Sequence, residues 1–85
     1  MIIIMLTSQL LRTTGKATHT ATGVTVTDHD HADPFDTTRH HYRFQLDWPD
    51  APGRASFNEG HHKLAALKLR LQRANIPTDS GWTTA

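Results

Sequence analysis

The chain has 85 residues, a net charge of +1 at pH 7 and no cysteine. That length makes one domain with one small core. The lack of cysteine excludes disulfides, thiolate nucleophiles, CxxC redox motifs and cysteine-ligated zinc ribbons, and agrees with a reducing cytoplasm, which is the expected location.

The chain opens on "MIIIML". This run has no basic flank and no small-residue cleavage site, and polar "TSQ" follows it, so it suits neither a signal peptide nor a membrane span. No membrane partner is expected, and Met5 is a second candidate start. "IIIMLTSQLLR" (Ile2–Arg12) reads as a buried strand. "TTGK" (Thr13–Lys16) is a turn in which Gly15 can take positive φ. Ala17–Asp28 returns as a second strand, with Val24 and Val26 on one face, Thr25 and Thr27 on the other, and Gly23 as a candidate bulge.

Asp28–His41, "DHDHADPFDTTRHH", packs four aspartates and four histidines into fourteen residues. His29 and His31 at i, i+2 would share one side of a strand, and Asp33 or Asp36 could complete an N,O metal site. Adjacent His40 and His41 would point to opposite faces. Asp and Pro are also turn formers, so the segment (residues 29–38 above all) reads as a connecting loop and no cofactor is expected.

"HYRFQLDW" alternates Tyr42, Phe44, Leu46 and Trp48 with Arg43, Gln45 and Asp47, a half-buried strand with an aromatic inner face. "PDAPG" (Pro49–Gly53) is a turn, and "RASF" is a candidate short fourth strand. Ser56 and Glu59 fit a capping box that would start a helix at Phe57, with Asn58 as the other N-cap. Leu64, Leu67, Leu71 and Ala74 then mark one helix face, which Asn75 and Pro77 end. In the tail, Trp82 is expected to fold back onto the domain or to meet a partner.

The expected fold is α+β: an antiparallel sheet of three to four strands packed on one C-terminal helix, over residues 1–85 as a single domain. From Tyr42 to Ala74 this is similar in topology to double-stranded-RNA-binding domains. Those begin with a helix where this chain reads as strand, and start their last helix with lysines where this chain has "GHHK".

There is no G-x-S-x-G, P-loop, G-x-G-x-x-G or zincin-type His pair, so the sequence leans away from an enzyme. Three readings remain. The first is a small protein-binding module, an inhibitor or adaptor of phage or mobile-element origin such as an anti-CRISPR-like host-defence inhibitor. It would use the open sheet face, the sheet edge and exposed Leu69. The second is a nucleic-acid-binding module, with His61, His62 and Lys63 in the first helical turn and Lys68, Arg70 and Arg73 beyond it. The third is a metal- or histidine-dependent hydrolase using His29, His31, His40 and His41. An exposed edge strand could also form a homodimer.

Overall fold

The computed structural model describes residues 5–29 and 42–84. The element order is α1 (Ser8–Thr14), β1 (Lys16–His19), β2 (Thr25–Asp28), β3 (Phe44–Trp48), β4 (Phe57–His61), α2 (Leu64–Arg73) and β5 (Trp82–Thr83). The strands form one antiparallel sheet in the order β4-β3-β2-β1-β5. The α+β class is as expected, but with five strands and two helices among the described residues.

The first difference is at the N-terminus. The strand expected over Ile2–Arg12 is replaced, within the described residues, by α1. Thr7 caps it, its hydroxyl accepting the Leu10 N–H at 3.1 Å. Leu6 before the cap and Leu11 in the helix are both fully buried, the pairing of a hydrophobic staple. Gly15, at φ 79°, closes the helix by donating its N–H to the Leu11 carbonyl.

Residues 17–28 are a hairpin rather than one strand. β1 and β2 pair Ala17 with Val26. At the end of the hairpin the N–H of Gly23 (φ 77°) reaches the His19 carbonyl while the His19 N–H reaches that of Val24, so Gly23 and Val24 together oppose His19, as the expected bulge requires. β3 then lies beside β2. Phe44, Leu46 and Trp48 face the core, but Tyr42 does not join them: the chain bends at Arg43, and Tyr42 is 45% exposed. Its ring lies against Gly60, where an added Cβ would overlap it.

The third difference is at β4. Residues 57–61 pair along the whole of β3, from Phe44↔His61 to Trp48↔Phe57. The helix therefore starts at Leu64, not Phe57. Neither Ser56 nor Asn58 is an N-cap. The Ser56 N–H is held by the Asp50 carboxylate, and Glu59 is held by Arg70. Five cross-strand pairs outweigh a local capping signal worth about 1 kcal/mol. The end of α2 follows the sequence: Asn75 is left-handed (φ 61°), its N–H reaches the Gln72 carbonyl, and the Ile76 N–H reaches that of Leu71. This is a Schellman motif, and its apolar contact is supplied by buried Ile76 and Leu71.

Both helices cover the same sheet face. Leu6 and Leu11 from the α1 region, Leu67 and Leu71 from α2, and Ala17, Val26, Phe44, Leu46 and Trp48 from the sheet make one cluster. Trp82 joins it, 2% exposed, with its indole N–H on the Pro77 carbonyl at 2.8 Å. No helix among the described residues is long and apolar enough to cross a membrane.

Candidate interaction surface

The sheet face away from the helices carries Thr18, Thr25, Thr27, His29, Gln45, Asp47 and Asn58. These side chains largely satisfy one another. Thr18 and Thr25 hydroxyls are 3.2 Å apart, His29 Nε2 is 2.9 Å from the Gln45 Oε1, and the Gln45 amide donates to Asp47 at 2.8 Å. A polar face with its bonds already made suits water better than a protein partner.

The residues singled out on α2 do not converge. A helix turns about 100° per residue, which sets Leu69 about 180° from the buried Leu67/Leu71 face. Leu69 is 48% exposed and points away from the sheet. It cannot share one contact with the open sheet face. Lys68 and Arg70 lie on opposite flanks of the helix, and Arg73 is exposed on its outer side. Arg70 is committed: its Nε donates to Glu59 at 3.1 Å and its guanidinium lies 4.5 Å from the Trp48 ring. His61 belongs to β4, and His62 and Lys63 precede α2, so none sits in its first turn. His61 Nε2 is buried without a hydrogen bond among the described residues, 3.4 Å from Glu59 Oε1. His62 packs on Tyr42 at 4.7 Å. These side chains form no stripe.

Of the Asp/His segment, His31, Asp33, Asp36, His40 and His41 lie outside the described residues. Among the described residues no three ligand-type side chains gather to hold a metal. Buried His19 is a satisfied core group, with Nδ1 2.8 Å from the Thr22 hydroxyl and its ring beside Trp82.

What the structure does gather is at the β4 edge. The His29 N–H donates to the Arg43 carbonyl, which fixes 29, 27 and 25 as the β2 positions bonded to 43, 45 and 47 of β3. Alternation then turns Phe44, Leu46 and Trp48 toward β4, where they bond Phe57, Glu59 and His61. The N–H and C=O groups of Asn58 and Gly60 therefore point outward from the sheet. Among the described residues nothing pairs with them.

An aromatic–arginine cluster flanks this edge on the helix side. Phe57, 38% exposed, stacks on Trp48 with centroids 5.9 Å apart and planes at 14°. The Arg54 guanidinium sits 5.0 Å from the Phe57 centroid and 5.9 Å from that of Trp48. Its Nη2 donates to the Pro49 carbonyl at 2.9 Å. The turn that delivers Arg54 is built by Pro52 and Gly53 (φ 78°), with Ala51 and Arg54 exchanging both backbone bonds. Sequence reasoning missed Phe57, Arg54 and Glu59 as a group because it placed residues 57–59 in a helix.

Comparison with known proteins gives no match: no family model fits the sequence, and no curated protein or solved structure is significantly similar.

Proposed function

We propose that the protein is a protein-binding module that takes up an extended segment of a partner protein as a sixth strand against β4. The observation that carries this reading is the outward backbone of Asn58 and Gly60, unpaired among the described residues, beside exposed Phe57. Strand addition uses such an edge: main-chain bonds give affinity, and alternate side chains give specificity. Exposed Phe57 with the Arg54 guanidinium over its ring is the composition of an interface core. In this reading the protein acts as an adaptor or stoichiometric inhibitor. The phage or mobile-element inhibitor, including the anti-CRISPR-like form, is one version of it, argued from small size, the lack of a catalytic motif, the compact α+β design and segregated charge.

The test is selection from a random displayed-peptide library, followed by amide exchange of the protein with the enriched peptides. Support is enrichment of extended peptides that slow exchange at Asn58 and Gly60 and that bind less tightly to Phe57→Ala. Absence of enrichment, or binding that leaves both amides unprotected, overturns the reading. So does a concentration-dependent dimer that itself protects them. Labelled duplex and single-stranded oligonucleotides run beside the peptides. Tight, salt-sensitive binding to these that displaces peptide would favour the nucleic-acid reading instead.

A further inference from the structure

We infer that the β4 edge selects acidic segments, and that Arg54 reads a carboxylate on the partner residue lying directly across from Phe57. This rests on the strand-addition reading and goes beyond it by naming the chemistry of the partner.

Geometry gives the position. Opposite residues of paired strands point to the same sheet face, with Cβ atoms about 4.5–5.5 Å apart. Phe57 points to the helix side, as its pairing with core-facing Trp48 requires. A partner side chain across from it emerges beside the Phe57 ring, over which the Arg54 guanidinium is already held. Of Arg54's contacts, one is a backbone carbonyl and two are aromatic faces; no carboxylate is within ion-pair distance among the described residues. An arginine fixed on ring faces with donors to spare is preorganised for a carboxylate, because its rotamers are restricted before binding.

The carboxylates near the edge are already engaged. Asp50 accepts the Ser56 N–H, Asp47 accepts from the Gln45 amide on the opposite sheet face, and Glu59, the carboxylate within β4, is occupied by Arg70 at 3.1 Å and lies 3.4 Å from His61. Exposed Lys63 follows the strand at its other end. An incoming strand therefore meets a cation before and after β4, and its own acidic residues complement both. A basic segment would face Arg54 and Lys63 with like charge, which disfavours the wrong partner.

The experiment uses one peptide enriched on the wild-type protein, with the residue across from Phe57 located by amide exchange and cross-strand NOEs. That residue is set in turn to Glu, Gln and Lys, and each peptide is titrated against wild type, Arg54→Gln and Arg54→Glu. The expected result is about fivefold tighter binding of the Glu than of the Gln peptide to wild type. The difference disappears on Arg54→Gln, and the preference inverts toward Lys on Arg54→Glu. Peptides that protect Asn58 and Gly60 but bind equally with Glu, Gln or Lys overturn the acidic selectivity and leave strand addition standing. Absence of any bound peptide overturns strand addition itself.

Discussion

Trp82 gives the sharpest test of how the last residues hold the domain together. The ring is 2% exposed, packs 5.3 Å from the His19 ring and donates its N–H to the Pro77 carbonyl. Its backbone pairs with His19 of β1. A buried Trp removes about 200 Å² from water, which at about 25 cal/mol/Å² is about 5 kcal/mol. Large-to-Ala changes at such sites cost about 3–5 kcal/mol. At about 0.1 kcal/mol per residue an 85-residue domain has about 8 kcal/mol in total. Trp82→Ala should therefore remove about half of the stability, while Trp82→Phe loses mainly the hydrogen bond and some contact, about 1–2 kcal/mol. Urea unfolding followed by far-UV circular dichroism measures both. A Trp82→Ala loss below about 1 kcal/mol would refute the idea that the ring is part of the core.

Two smaller changes probe the β4 edge. Trp48 Nε1 is buried with no acceptor among the described residues, so Trp48→Phe removes an unsatisfied donor and should cost less than about 1.5 kcal/mol despite the lost volume, against about 3–5 kcal/mol for Trp48→Ala; equal losses in chemical denaturation would show that the indole N–H matters. Gly60→Ala should destabilise by about 1–3 kcal/mol because the new methyl meets the Tyr42 ring. Adding Tyr42→Ala should recover most of that loss, and additive losses in the double-mutant cycle would show that the two do not touch.

Local signals in the sequence located much of this fold, and non-local pairing decided the rest. The Leu64/Leu67/Leu71/Ala74 face, the Asn75 stop, the turn before Arg54 and the alternation from Phe44 to Trp48 are each set by neighbours a few residues away, and all stand in the structure. α1 was also legible. Thr7, the Leu6/Leu11 spacing and Gly15 are a cap, a staple and a stop, but the apolar run before them favoured a strand. β4 was not legible. "SFNEGHH" carries a helix-start signal and little β propensity, and it becomes a strand because β3 presents bonds to it. The candidate surface depended on that one assignment: with residues 57–61 in a helix, Phe57 and Arg54 have no common edge to flank.

An open edge invites pairing with a second copy, so the residues of β4 should also be read for what they discourage. The symmetric antiparallel register that uses all four outward groups sets Asn58 of one copy across from Gly60 of the other. Its two-fold axis then passes at Glu59, placing the two Glu59 carboxylates directly opposite each other, which is destabilising. Centring the pair on Asn58 instead sets Gly60 against Ser56, whose N–H is already taken by Asp50. Centring it on Gly60 sets Asn58 against His62, past the end of β4. Each Glu59 is also held by its own Arg70, so the prediction is that the residual like-charge contact disfavours self-pairing while leaving the edge open to a strand with a different side chain at that position. Glu59→Gln removes the repulsion and keeps a side chain that can bond Arg70. Sedimentation equilibrium should show this variant dimerising at concentrations where the wild type stays monomeric. A variant as monomeric as the wild type would show that something other than Glu59 keeps the edge free, and a dimeric wild type would show that it is not free at all.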